Sequence, residues 1–204
     1  MIYEFRTYTL KPGSVPEVEA LFEERLPHRE KFSKLTAFWH TEVGPLNQIV
    51  HVWEYEDPAE RMRLRAESVK GPQWPPPIGQ FVVDMKSDIY IPFPGSPTLK
   101  PGKLGPVYEM RTYTFKPGSL PQVIEAWNTK IEERVKLSPL AGVLYTDAGA
   151  LNQFSHIWAY KSMDERMAIR KTAVDTGAWP PPTRPFLLTM QNKLMLPSSF
   201  SRMQ

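Results

Sequence analysis

The residues with the most chemical potential in this chain occur twice. Asn47, His51, Trp53 and Tyr55 share one parity along a short run, and Asn152, His156, Trp158 and Tyr160 repeat them at the same spacing. Near the start of the chain Glu4, Arg6 and Tyr8 alternate in the same way, and they return as Glu109, Arg111 and Tyr113. In an extended strand alternate side chains share a face, so each set presents its polar and aromatic groups to one side. Where the two sets meet, a histidine beside a carboxylate can act as a general base, which makes His51 and His156 the catalytic candidates. An arginine there can hold an anionic oxygen while aromatic walls exclude water, so the remaining residues of both sets are the ligand-binding candidates. A structural account fits the same residues. Glu4 and Arg6 would neutralise each other, His51 would hydrogen-bond an Asn or Tyr neighbour, and Trp53 would be core.

Other chemistries find little support. The chain has no cysteine and four histidines, His28, His40, His51 and His156, no two of which have ligand spacing on a helix. No metal or other cofactor is therefore expected; a haem held through one histidine is the nearest exception. Arg61 and Arg65, repeated as Arg166 and Arg170, lie one helical turn apart and could grip an anion, although an exposed charged helix face explains them more simply. Trp74–Pro77 and Trp179–Pro182 read as rigid aromatic loops, either lips of a pocket or covers for a sheet edge. Glycine-rich phosphate loops, dinucleotide fingerprints and serine elbows are absent.

These residues are positioned by one unit written twice. Val107 lies 105 positions after Ile2 (107 − 2), and at that offset Ile2–Met85 aligns with Val107–Met190 without a gap, about 35 of the 84 pairs being identical. Such a period far exceeds the roughly 20–50 residues of solenoid repeats, so each copy is expected to be a domain. Domain one spans 1–91, a Pro/Gly-rich linker 92–106 and domain two 107–197. Ile2–Leu10 alternates as a strand. Ser14-Val15-Pro16-Glu17 has the form of a capping box that starts a helix. Pro27 is expected to kink or end that helix, and the second copy has no proline there. Leu35–Val43 and Asn47–Tyr55 form a hairpin across Gly44-Pro45-Leu46. Asp57-Pro58-Ala59-Glu60 caps a second helix, and Gln80–Ile91 closes the unit as a strand. Strand, helix, strand, strand, helix, strand is the ferredoxin-like order, an antiparallel sheet with both helices on one face. The other face carries aromatic residues and needs a cover, for which the second copy is the obvious source.

The net charge of +3 arises from 25 basic and 22 acidic residues spread along the chain. Without a basic stripe, nucleic acid is not an expected partner. No apolar run approaches the roughly 20 residues of a membrane span, and no charged-then-apolar leader precedes the first strand. A cytoplasmic location is expected.

The paired (I/V)YE-x-RTYT-x-KPGS starts, the LNQ-x-x-H-x-W-x-Y segments at Leu46–Tyr55 and Leu151–Tyr160, and the ERM at Glu60–Met62 and Glu165–Met167 resemble the NIPSNAP family across nearly the whole chain. That resemblance implies an α+β barrel made from two ferredoxin-like sheets packed face to face, within one chain or between chains. It also implies a family whose bacterial relatives largely lack an assigned reaction. The expected function is therefore binding of a small molecule or a protein partner, with homo-oligomerisation. The alternative is a cofactor-independent oxygenase or isomerase acting on an aromatic or polyketide-like substrate, with His51 and His156 as bases in a polar pocket inside each half of the barrel.

Overall fold

The computed structural model describes residues 1–204. The first repeat runs β1 (Ile2–Leu10), α1 (Val15–Arg29), β2 (Leu35–Val43), β3 (Gln48–Tyr55), α2 (Pro58–Ser68) and β4 (Val82–Pro92). In the second, β5 (Val107–Phe115) leads to a divided helix, α3 (Leu120–Asn128) and α4 (Ile131–Val135), then β6 (Leu140–Ala148), β7 (Gln153–Tyr160), α5 (Met163–Asp175) and β8 (Leu187–Pro197). Each repeat folds as the expected α+β ferredoxin-like unit. The sheets join edge to edge, β2 with β8 and β4 with β6, into one closed barrel of order β1-β3-β2-β8-β5-β7-β6-β4. Every strand has a neighbour on both sides, and the closing contacts are short, β4 meeting β6 at Ile89–Pro92 and β8 meeting β2 at Leu194–Pro197.

Strand parity decides what lies on each side of the barrel wall. Tyr3, Phe5, Val50 and Val52 of the first repeat meet Tyr108, Met110, Ile157 and Ala159 of the second in one dry interior cluster. Leu99 of the linker and Met203 of the C-terminal tail complete that cluster at one end of the barrel, where the Tyr108 hydroxyl donates to the Gln204 carbonyl at 3.1 Å. On the opposite face Tyr8, Ile49 and Trp53 pack against Val18, Phe22 and Leu26 of α1, and the second repeat has the matching cluster around Val123 and Trp127. The helices therefore cover the outside of the barrel, and each copy hides the inner face of the other.

Two local expectations are corrected. Ser14 and Ser119 do not cap through their side chains; their hydroxyls donate to the Lys11 and Lys116 carbonyls at 2.6 and 2.7 Å and close the preceding turns. Asp57 and Ser162 do cap, accepting the Glu60 and Glu165 N–H groups at 2.8 and 3.1 Å. Pro27 neither breaks nor ends α1, which continues to Arg29. It stands in the last turn, where few further bonds depend on its missing donor. The break falls in the copy without an interior proline, where the Thr129 hydroxyl donates to the Ala126 carbonyl at 2.7 Å between α3 and α4. Threonine competes in this way with helix propagation.

Candidate functional site

The register of β1 and β3 brings the two chemical sets together. Glu4 faces Trp53, Arg6 faces His51 and Ile2 faces Tyr55, and the second repeat pairs Glu109 with Trp158 and Arg111 with His156. These groups lie between sheet and helices, outside the barrel wall. The expectation of a pocket inside the barrel is corrected: α1 and α3 bury their apolar stripes on this face, and only the opposite parity points inward. Asn47 and Asn152 are also corrected. Each precedes its strand with a left-handed φ, 55° and 57°, a conformation asparagine tolerates better than most residues. Their carbonyls accept the Leu10 and Phe115 N–H groups at 2.8 and 3.0 Å, so they shape the turns.

Glu4 is fully buried at the centre of an ionic knot. Its carboxylate accepts from Arg61 Nη2 at 2.6 Å, Arg6 Nη1 at 2.8 Å, the Ser87 hydroxyl at 2.8 Å and Arg65 Nη1 at 3.5 Å. Burial by itself would raise this carboxyl, but the hydrogen bond from Arg61 together with Arg65, Ser87 and Arg6 outweighs it and brings the pKa to about 2. Glu109 repeats the knot with Arg166 at 2.6 Å, Arg111 at 2.7 Å and Arg170 at 3.7 Å. Arg61 and Arg65 thus reach back under α2 rather than forming only a solvated face. The arginine and tyrosine of β1 are locked as well, with Arg6 Nε donating to the Tyr8 hydroxyl at 2.7 Å.

His51 sits on this floor, 1 % exposed. The Trp53 indole N–H donates to His51 Nδ1 at 2.7 Å, and Trp158 does the same to His156 at 2.6 Å. An indole nitrogen only donates, so Nδ1 must be the acceptor and Nε2 carries the proton of the neutral ring. Burial, reinforced by the Arg6 charge, pushes the His51 pKa well below its ordinary value; burial and Arg111 do the same to His156. Neither imidazole keeps a free acceptor nitrogen, and so the expected base is instead a buried donor. Nor does this tautomer suit metal or haem ligation through Nε2, which needs the proton on Nδ1. In both repeats Nε2 has no hydrogen-bond partner.

Sequence reasoning missed Arg29. It projects from α1 beneath the sheet face, 2 % exposed. Its Nη2 donates to the Tyr55 hydroxyl at 2.9 Å, and its guanidinium lies 4.6 Å from the Trp53 ring, while Nη1 has no partner. Arg134 is its counterpart, donating to Tyr160 at 3.2 Å. The signal was present, because Arg29 and Arg134 stay identical inside a helix whose other positions differ almost throughout.

Beside these groups the first repeat holds a cavity of 480 Å³. Its polar lining is Arg6, Arg29, Arg65 and His51, and Phe22 and Trp74 provide aromatic walls. The Trp74 loop is thus a pocket lip. Three arginines, at 6, 61 and 65, pair with one carboxylate, Glu4, and Arg29 adds a further guanidinium to the cavity lining, so the site carries an excess of positive charge. In the second repeat Trp127 replaces Phe22 and packs 4.7 Å from Trp179, against 5.8 Å between Phe22 and Trp74.

Two ferredoxin-like halves closed into an α+β barrel, each with an arginine-bound glutamate and a donor histidine under its helices, define the class. The NIPSNAP family profile matches residues 3–97 and 108–202, and the chain belongs to the NIPSNAP family. It is 32% identical over 211 residues to Protein NipSnap homolog 3A of Homo sapiens, covering 98% of this chain and 85% of that one. Protein NipSnap homolog of Dictyostelium discoideum is 30% identical over 182 residues, covering 87% and 78%. A crystal structure described as an anthrone oxidase-like protein shares the fold, with a TM-score of 0.65 at 10% identity over 98% of this chain and 93% of that one. The relatives carry no assigned reaction. No helix is long and apolar enough to cross a membrane.

Proposed function

We propose that the helix-covered cavity of the first repeat binds a small anion with an aromatic or apolar body, such as an aromatic carboxylate, and holds it without covalent chemistry. The observation that carries this reading is the pair of buried donors without acceptors, His51 Nε2 and Arg29 Nη1, in an arginine-rich pocket. Unpaired buried donors are costly, and an anionic oxygen would satisfy both. Trp53 and Tyr55 serve as positioning residues, the one fixing the imidazole tautomer and the other anchoring Arg29. A cytoplasmic setting fits a chain without cysteine. Homo-oligomerisation draws support from the exposed apolar pairs Val83 and Met85 on β4, and Leu188 and Met190 on β8.

Calorimetric titration with benzoate-class and naphthoate-class carboxylates, and with their neutral amides, tests the reading. Carboxylates are expected to bind at least roughly tenfold tighter than the amides, the equivalent of about 1.4 kcal/mol. Arg29→Met is expected to remove that preference. Equal affinity for acid and amide would overturn the proposal.

A further inference from the structure

The barrel itself opens at the end opposite the linker and tail. There its interior widens into a cavity of 910 Å³ bounded by Phe5, Tyr90 and Met110 toward the dry half, with Lys86, Asp88 and Lys193 on its walls. The repeat offset pairs Asp88 with Lys193 (88 + 105 = 193), so the two copies place opposite charges at equivalent points of the wall. Asp88 is committed to the turn between β6 and β7. Its Oδ1 accepts the Ala150 N–H at 3.1 Å, and at Gly149, with φ +105°, any side chain would run into it. Lys193 is half-buried, and its Nζ donates to Gln48 Oε1 at 3.1 Å without forming an ion pair. Lys86 on the neighbouring wall is exposed and lies 3.9 Å from Asp84.

We propose that this mouth is a second binding site, for small polar carbonyl compounds, in which Lys193 captures the carbonyl carbon as an imine. The neutral Nζ attacks that carbon, forming the N–C bond while the carbonyl π electrons move to oxygen. Transfer of a proton from nitrogen to oxygen gives the carbinolamine. Loss of the hydroxyl group, with one further proton, as water leaves the imine, so amine plus carbonyl gives imine plus water with no net oxidation. Asp88 is the carboxylate on the same cavity, and with Oδ1 held by the Ala150 N–H its other oxygen would exchange those protons. Gln48, Gln153 and Gln191 offer amide donors and acceptors to a hydroxylated body.

Lys193 is suited to this because burial, helped by the Lys86 charge and opposed by Asp88, lowers its pKa to about 8. At pH 8 its free-amine fraction exceeds that of an ordinary lysine by roughly a hundredfold, and an uncharged amine is a nucleophile rather than an anion holder.

The full chain incubated with glycolaldehyde and cyanoborohydride, followed by peptide mass mapping, tests the proposal. Lys193 is expected to be alkylated at least roughly tenfold faster than the exposed Lys70 and Lys161, with a rate midpoint near pH 8, and the rate should saturate with glycolaldehyde. Labelling of Lys193 no faster than the surface lysines would overturn it. So would a rate that rises linearly without saturation, which describes a reactive amine without a site. Lys193→Met should lose the fast adduct; the pH profile and saturation of the unaltered chain decide the matter even where that variant misfolds.

Discussion

The two repeats share an ionic knot and differ in the space beside it. Glu4 and Glu109 each draw in three arginines at matching positions, and His51 and His156 each accept an indole N–H. Around them, Phe22 becomes Trp127, Ile78 becomes Thr183 and Gly79 becomes Arg184. The second copy is tighter at its indole walls: Arg134 stands 3.9 Å from the Trp158 ring centre, where Arg29 stands 4.6 Å from that of Trp53. Trp127 reaches within 4.8 Å of His156, against 5.1 Å for Phe22 and His51. The repeats therefore keep the charged and imidazole groups and differ in the aromatic wall and lip, against which the body of the proposed ligand would pack.

The sharpest way to break this comparison is to remove the charge that both copies share. Glu4→Gln and Glu109→Gln each leave buried guanidinium groups without a counter-ion. Each is expected to cost about 3–5 kcal/mol by urea denaturation. A small cost at Glu4 beside a large one at Glu109 would mean that the first knot serves the ligand and only the second serves the fold.

Next in size is an acid dependence the copies should contribute equally. His51 and His156 are held neutral when folded and regain ordinary behaviour when unfolded. Between their lowered folded values and the unfolded value of about 6.5, the unfolded chain binds more protons. Stability therefore falls as pH drops below about 6.5, by about 1.4 kcal/mol per pH unit for each histidine. Glu4 and Glu109 act lower down. Their folded pKa values are depressed, so their stabilisation is present above the unfolded value of 4.5 and is lost as pH falls toward the folded one, about 2 for Glu4. Urea midpoints measured from pH 7 to pH 5 should show the histidine slope, and His51→Asn should remove about half of it. A flat profile would refute the buried neutral ring.

Much of this architecture was legible in the sequence, because the 105-residue offset exposed the duplication and strand parity placed His51, Trp53, Glu4 and Arg6 on shared faces. The side of the wall they face was not legible. Both faces of β1 and β3 are aromatic or aliphatic, Tyr3 and Phe5 on one and Tyr8 and Trp53 on the other, so alternation separates two faces without saying which the helices cover. The identity of Arg29 with Arg134 was visible, but its role was not, since that depends on Tyr55, 26 residues later in the chain. The role of histidine turned on one proton, which only the position of the Trp53 indole N–H reveals. Lys193 looked like an ordinary lysine in a strand until closure of the barrel set it beside Lys86 and Asp88.

The smallest expected change in stability carries the most information about the site. Trp127→Phe gives the second repeat the wall residue of the first, at a cost of about 1–2 kcal/mol for the lost indole contacts. If Phe22 against Trp127 sets the space, this variant should titrate with two aromatic carboxylates per chain where the parent takes one. Phe22→Trp should take none, because the larger ring would close on Trp74 as Trp127 does on Trp179. Arg29, Arg134 and both histidines are untouched in these exchanges, so a changed stoichiometry would trace to volume and not to charge. One site per chain in Trp127→Phe would instead move the distinction to Arg134 or to the lip. Arg134 Nη1 already donates to the Ser138 hydroxyl at 2.8 Å, where Arg29 Nη1 has no partner. At the lip, Thr183 and Arg184 stand in place of Ile78 and Gly79. There an extra guanidinium, and not a ring, would be what keeps the second cavity shut.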